Sequence, residues 1–385
     1  MEFQIVLGII FGTITGIIPG IHPNLVATLL STANFMNPTI IIFSTAITHT
    51  FLNTIPSIHL SSPDPESALA LHPSQEYSQQ GRAHEAVLLT LLGSVASLAL
   101  FMTFVPLLYD IIKPVYTSIN KSIPFLLLLT AIFLILHQKN KKIALVIFVA
   151  SGILGYFSLN SELDNSLLPL FTGLFGIPSL LINSDKNTAK QKITEPKINK
   201  KSLKTVLSSL FFGSFFSFLP SVGAAQAAAV QSTVSKNKSK GDFLILTGCL
   251  NTVNILFSVI MLSELNKARN GAVAVIKDLG SVNLAELKSL FYISLMITLP
   301  GVILCIAISR AFIRIRNKIS TKILSQGTIV FLILITFIMT KFSGILILVI
   351  ATVIGYLPYK LNTTKTTLMG SLMIPTLIFY FTLMF

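Results

Sequence analysis

The sequence predicts an all-α polytopic membrane protein made of two inverted-topology repeats, each with a re-entrant hairpin broken at Pro-Gly plus about five transmembrane helices. Three observations support this fold. The 385 residues are 52% hydrophobic and only 11% charged, against roughly 25% charged in soluble domains, too few polar groups to cover a water-facing surface. A proline-glycine break inside apolar sequence near the N-terminus returns in altered form near the middle of the chain. The loops around the two copies carry opposite charge bias, as an inverted repeat requires.

The first element is the apolar run 3–18. Glu2 rather than a basic segment precedes it and no small-residue cleavage site follows, so it is expected to stay as the first membrane segment rather than leave as a signal peptide. It runs into Gly12-Thr-Ile-Thr-Gly16-Ile-Ile-Pro19-Gly20-Ile-His22-Pro23-Asn24. Proline has no N–H to give and clashes with the preceding turn, while glycine tolerates backbone angles other residues avoid, so the helix should unwind here. Unwound backbone at membrane depth is tolerated only where it is buried in protein or lines a water-filled cavity. Residues 3–35 are therefore read as a hairpin bent at Pro19-Gly20.

Apolar runs at 38–60, 86–109, 122–137 and 143–159 follow, each close to the ~20 residues a bilayer-spanning helix needs. A polar stretch, Lys-rich over 184–204, separates an N-terminal membrane repeat (1–183) from a C-terminal one (205–385) and reads as a basic cytoplasmic linker. Beyond it, Gly213-Ser-Phe-Phe-Ser-Phe-Leu-Pro220-Ser-Val-Gly223-Ala-Ala-Gln226 repeats the first break, with Gly12 and Gly213 spaced as Pro19 and Pro220 are. Residues 205–234 make the second hairpin, and spans at 323–340 and 343–359 match the later spans of the first half. Ile153-Leu-Gly155-Tyr156 recurs as Val353-Ile-Gly355-Tyr356, and Gly173 to Pro178 as Gly370 to Pro375, so one duplicated unit explains the chain.

Charge orients the halves. The loop near 138–142 holds Lys139, Lys141 and Lys142 where its counterpart holds only Lys341, whereas 110–121 has two lysines and its counterpart 310–322 has five basic residues. Placing 138–142, 184–204, 236–240, 310–322 and 360–365 in the cytoplasm collects most of the lysines and arginines and leaves both termini outside the cell membrane. The net charge of +14 is thereby explained without a nucleic-acid partner.

Polar residues inside the apolar runs mark the expected site. His49 and Asn53 begin within the run 38–60, where an unpaired polar group costs a few kcal/mol, so they should face a cavity or another helix. Ser57, Asp64, Arg82 and Glu85 follow, and Arg82, three residues before Glu85, can pair with it or serve as the counter-charge of an anionic substrate. In the second half the matching region contains Gln226, Asn251, Asn254 and the segment Glu264–Asp278. Freed N–H groups after the breaks, at Asn24 and Ala224, would present partial positive charge to an anion.

Five of the six histidines lie between His22 and His84, yet no two are one helical turn apart and no cysteine joins them, so no metal site is expected. Cys249 and Cys305 sit in apolar stretches and imply no disulfide framework. No P-loop, nucleophile elbow, catalytic carboxylate pair or dinucleotide fingerprint is present, and no enzyme activity or cofactor is expected.

These motifs, Gly16 to Asn24, Leu52-Asn53-Thr-Ile-Pro56-Ser57, Pro63-Asp64-Pro65-Glu66, Gly81-Arg82-Ala-His-Glu85-Ala and Leu219 to Gln226, together resemble the large TctA-like permease subunit of tripartite tricarboxylate transporters, in its shorter archaeal branch. The resemblance covers nearly the whole chain. It implies a secondary carrier for organic anions, a di- or tricarboxylate among them, working with a small membrane subunit and an extracytoplasmic substrate-binding protein. On this reading Gly20, His22, Asn24, Asn53, Ser57, Arg82, Gly223, Gln226 and Asn251 contact substrate, and Asp64 and Glu85 take the coupling Na+ or H+. A second reading is a polyisoprenyl-phosphate translocase, since such lipid-carrier flippases also use Pro-Gly hairpins in a duplicated membrane fold and a phosphate head would suit Arg82 equally well.

Overall fold

The computed structural model describes residues 1–19, 21–33, 35–60, 71–163, 165–183, 189–198, 200–235 and 239–384; Gly20 and Asp64 lie outside the described residues. The described residues form helices and no strand. Among the described residues, six stretches are long and apolar enough to cross a membrane: Ala83–Leu136, Lys141–Leu159, Lys240–Leu265, Leu284–Lys318, Thr321–Lys360 and Lys365–Leu383.

The first half forms α1 (Glu2–Ile17), α2 (Pro23–Thr32), α3 (Pro38–Leu52), α4 (Thr54–His59), α5 (Leu71–Gln79), α6 (Ala83–Ile119), α7 (Ile123–Leu136), α8 (Lys141–Leu159), α9 (Leu167–Phe171) and α10 (Ile177–Asn183). A 3-10 turn joins α6 to α7, and a π-helical turn, Thr172–Gly176, joins α9 to α10. The second half forms α11 (Lys200–Ser217), α12 (Ala224–Val234), α13 (Lys240–Leu265), α14 (Gly271–Leu279), α15 (Leu284–Lys318), α16 (Thr321–Lys360) and α17 (Gly370–Met384).

Local chemistry sets the helix starts. Proline opens α2 and α3, where its missing N–H costs nothing. Side-chain oxygens of Asn140, Ser239, Asn270, Asn283 and Ser320 accept the first N–H groups of α8, α13, α14, α15 and α16. At α15 the cap is reciprocal: Asn283 Oδ1 accepts from Glu286 N at 3.0 Å, and Glu286 Oε2 accepts from Asn283 N at 2.9 Å.

Several stretches read as loops are helical. Residues 110–119 continue α6, 310–318 continue α15, and α11 begins at Lys200 inside the stretch read as linker. Hydropathy marks where a helix meets water, whereas caps mark where it ends. The 37 residues of α6 rise about 55 Å, well beyond the ~30 Å hydrocarbon core. The 40 residues of α16 break at Lys341, whose φ of 53° and ψ of −151° are not helical, so α16 is two helical segments joined at a kink.

The helices sort into two groups that each draw on both halves of the chain. In the first, α3 and α13 are the centre: α1 and α2 pack on α3, α11 and α12 pack on α13, α6 packs on α13 and α15 on α3. Burial agrees, since 89% of the apolar window of α13 is inside the protein against 22% for α16. In the second group α8 packs on α17, and α16 packs on α9, α10 and the π-helical turn. Among the described residues, helices of one group approach those of the other only sparsely, apart from the continuous rod of α6 and α7.

Glycines set the closest approaches. Along α1, Gly8, Gly12 and Gly16 face Ser44, Thr48 and Leu52 of α3, and a Cβ at any of them would come within 2.6 Å of those side chains. In the second group a Cβ at Gly155 would lie 1.9 Å from the Ser371 carbonyl oxygen, and one at Gly355 2.3 Å from that of Leu174. Gly370 meets the Phe148 carbonyl and Gly173 that of Leu348 in the same reciprocal manner. The described part of the linker, 189–198, carries no helix and lies against the first group, where Gln191 accepts from Ala83 N at 3.2 Å and donates to the Ser78 carbonyl at 2.8 Å.

Candidate functional site

The helix breaks converge. α1 ends at Ile17 and α2 begins at Pro23; α11 ends at Ser217 and α12 begins at Ala224. Both intervals line one cavity of about 480 Å³, together with the break between α3 and α4 at Asn53 and the turn between α13 and α14 at Arg269 and Asn270. Three helices thus start at its wall, α2, α12 and α14, with His22, Gly223 and Asn270 as their capping positions. Each helix start presents the positive end of its dipole.

The caps differ in what they leave open. His22 Nδ1 accepts from Asn24 N at 3.3 Å, and Leu25 N is bonded to the His22 carbonyl. With Pro23 lacking an N–H, the first turn of α2 is occupied. In α14, Asn270 Oδ1 accepts from Ala272 N at 2.9 Å. In α12, Gln226 Oε1 reaches back to Gly223 N at 2.9 Å, one residue before the helix, and no side chain caps the first turn. The N–H groups of Ala224 and Gln226 have no partner among the described residues. Ser221 holds a left-handed φ of 61° at this break, and its hydroxyl meets that of Thr376 on α17.

Among the described residues, Arg269 is the only charged side chain lining the cavity, and no carboxylate of theirs lines it. Its main chain is fixed: the Ser258 hydroxyl oxygen of α13 accepts from Arg269 N at 2.9 Å and from Asn270 N at 3.0 Å. Its guanidinium Nε is buried with no hydrogen-bond partner among the described residues. Beside it, Asn24 lies directly on Gly271, where a Cβ would be 2.3 Å from Nδ2, and its Oδ1 is buried without a partner among the described residues. A buried donor left unmade costs about 1–3 kcal/mol, so the Arg269 side chain at the cavity wall carries an unmet hydrogen-bonding capacity.

The two walls are unlike. The first helix group contributes the polar side chains Thr15, His22, Asn24, His49, Asn53, Gln226, Asn254, Arg269 and Asn270. The second contributes Leu168, Phe171, Leu332, Met339, Met369 and Leu372, with Asn165 and Thr172 as its polar members. The cavity lies where the two groups face each other.

Of the residues expected from sequence to hold substrate, His22, Asn24, Asn53, Gly223 and Gln226 meet at this cavity. Gly20 and Asp64 lie outside the described residues. Ser57, Asn251, Arg82 and Glu85 do not line it. The Ser57 hydroxyl donates to the Thr54 carbonyl at 2.9 Å within α4, and Asn251 is buried on α13, one turn before Asn254, which does line the cavity. Arg82 forms a two-pronged pair with Glu85, Nε to Oε2 at 2.8 Å and Nη2 to Oε1 at 2.5 Å, and stands over the Tyr77 ring. The Glu85 bond holds the Arg82 guanidinium above its ordinary range, so its charge is already committed. Sequence reasoning did not single out Arg269. The signal was present, a cation between Asn266 and Asn270 in the turn after a long apolar run, but among the basic residues near membrane segments nothing in the sequence distinguishes it.

Among the described residues no group of three or more His, Cys, Asp or Glu side chains is placed to hold a metal ion. Cys249 and Cys305 are unpaired and buried.

Residues 3–370 match the model of the family described as "Tripartite tricarboxylate transporter TctA family". An uncharacterised protein of Methanocaldococcus jannaschii, MJ1079, is 31% identical over 346 residues, covering 87% of this chain and 86% of its own length. No solved structure matches.

Proposed function

Because the chain belongs to the tripartite tricarboxylate transporter TctA family, we propose that it is a secondary active permease carrying an organic anion, a di- or tricarboxylate, by alternating access through the cavity between the two breaks. The family is one of membrane transporters, not enzymes, and its members act in tripartite systems. One observation carries the reading to this site: the cavity has Arg269 as its lone charged side chain among the described residues, with no carboxylate and an uncapped α12 start beside it. An anion would satisfy both Nε and the free N–H groups.

The reciprocal packing of Gly155 with Ser371 and of Gly355 with Leu174 supports a duplicated unit, which we read as inverted, with re-entrant hairpins at Pro19 and Pro220 and both termini outside. The sparse contact between the helix groups supports alternating access by movement of one group against the other, with the cavity at their seam. A small membrane subunit and an extracytoplasmic substrate-binding protein are the expected partners.

The apolar wall of Leu168, Phe171, Leu332 and Leu372 favours a second reading, a polyisoprenyl phosphate whose head would take the Arg269 side and whose chain the apolar side. Proteoliposomes separate the two. Uptake of labelled citrate or succinate supports the permease; inertness to both, with headgroup exposure of a polyprenyl phosphate, supports the translocase.

A further inference from the structure

The linker between the two halves is tied, over its described part, to the ends of two spans. Ala189 N donates to the Gln79 carbonyl at 3.1 Å, and Lys192 N to that of Gly81 at 2.8 Å. Gly81 has a left-handed φ of 79°, and a Cβ there would lie 2.5 Å from the Lys190 carbonyl oxygen, so the two backbones meet closely. Gln191 is buried at this tie. Its Oε1 accepts from Ala83 N, where the span Ala83–Leu136 starts, and its main chain exchanges two hydrogen bonds with the side chain of Asn317, where the span Leu284–Lys318 ends. The stretch therefore lies at the level where these spans leave the membrane. α11 agrees: Leu203, Leu207 and Phe211, spaced one turn apart on one face, are exposed as lipid-facing side chains are, and they begin just beyond Lys200.

Two kinds of side chain stand open here. Ile193 and Ile198 are each 61% exposed, in a segment without helix. Lys190, Lys192, Lys197 and Lys200 are exposed around them, with Glu195 the one carboxylate of residues 189–198. From the end of α15, the exposed Arg314 and Lys318 flank Asn317 and join the same face. None of these six cations has an ion-pair partner among the described residues. Solvation accounts for a run of lysines, but not for the isoleucines set among them. Apolar side chains interleaved with cations at the membrane surface match an anionic lipid layer, whose acyl boundary covers the first and whose phosphates meet the second.

We propose that residues 192–198, with the first turn of α11, form an interfacial anchor for anionic phospholipid, in which the isoleucines enter the boundary between headgroups and acyl chains and the lysines take the lipid phosphates. The segment continues through α11 to the break at Pro220, so the lipid fixes the outer end of the helix that leads to the cavity. The anchor does not depend on which anion is carried.

Fluorescence from one site tests it. In the full-length protein Ile193→Cys takes a thiol dye, because the native Cys249 and Cys305 are buried. The labelled protein is placed in nanodiscs of phosphatidylcholine mixed with phosphatidylglycerol, with brominated, quenching chains on one lipid or on the other at equal mole fraction. Brominated phosphatidylglycerol is expected to quench the dye several-fold more than brominated phosphatidylcholine, and raised salt is expected to narrow the difference. Each lysine at an anionic surface adds about fivefold to the attraction. Replacing Lys190, Lys192, Lys197 and Lys200 together by Gln should therefore abolish the preference, with an unchanged melting temperature, since the tie runs through Gln191 and the main chain. Equal quenching by the two lipids with the lysines in place, or a preference that survives the four glutamines, overturns the proposal. Quenching by neither lipid also overturns it, and leaves the isoleucines as a surface for a protein partner.

Discussion

Replacing Arg269 by glutamine removes the positive charge that this side chain brings to the cavity wall. A hydrogen bond to a charged group contributes about 1.5–3 kcal/mol. Taking the upper half of that range for a buried Nε, the loss is about 2–3 kcal/mol, or roughly 30- to 150-fold in anion affinity. The fold is expected to be unaffected. The turn carrying Arg269 is held through its main chain by Ser258, at 2.9 and 3.0 Å, and Nε has no partner among the described residues to lose. Arg269→Lys restores charge without the planar fork and should recover only part of the affinity. The assay is equilibrium binding of labelled citrate to detergent-purified protein, with the melting temperature measured on the same samples. Glutamine binding as tightly as arginine would refute the reasoning, and a large fall in melting temperature would show that Arg269 acts through folding.

Three further outcomes follow from the packing. Arg82→Ala should retain transport and lose stability by about 1–3 kcal/mol, because Glu85, whose side chain is only 3% exposed, is left without its partner, away from the cavity; transport abolished at unchanged stability would contradict that placement. Ser258→Ala should weaken anion binding without touching the ligand, since two N–H groups lose their acceptor and the Arg269 turn loosens; unchanged binding would show that the turn is held otherwise. Gly155→Ala, whose Cβ would fall 1.9 Å from the Ser371 carbonyl, should cost about 1–3 kcal/mol as read by thermal melting, and an unshifted melting curve would argue against the close approach of α8 and α17.

The sequence made the fold class legible because composition and span length leave a lipid-embedded helical chain little alternative. It made the two breaks legible because Pro19 and Pro220 act locally, through missing donors and forced angles, and local effects survive in one dimension. That the breaks share a cavity, with His22, Asn24, Asn53, Gly223 and Gln226 around it, follows from the same burial argument that drew attention to them. Arg82 drew attention for its chemistry, yet a residue three positions away captured it; i,i+3 pairs on a helix start are neighbours whatever else is near. Arg269 went unmarked for the converse reason. Its place in the cavity wall comes from α2, α12 and α14 beginning around it, and that convergence depends on how distant segments pack. The helical continuation of α6 through 110–119 was also hidden, since polar residues end the apolar signal without ending the helix.

Side-specific labelling of a cysteine at Asn254 tests alternating access through this cavity most directly. Asn254 lines the cavity, and the native thiols Cys249 and Cys305 are buried, so a membrane-impermeant anionic thiol reagent would report on the introduced cysteine alone. In proteoliposomes of Asn254→Cys, reagent added from either side is expected to modify the residue, to be slowed by citrate, and to block citrate uptake once attached. Modification from one side only, with uptake intact after complete labelling, would contradict a transport path between the two breaks.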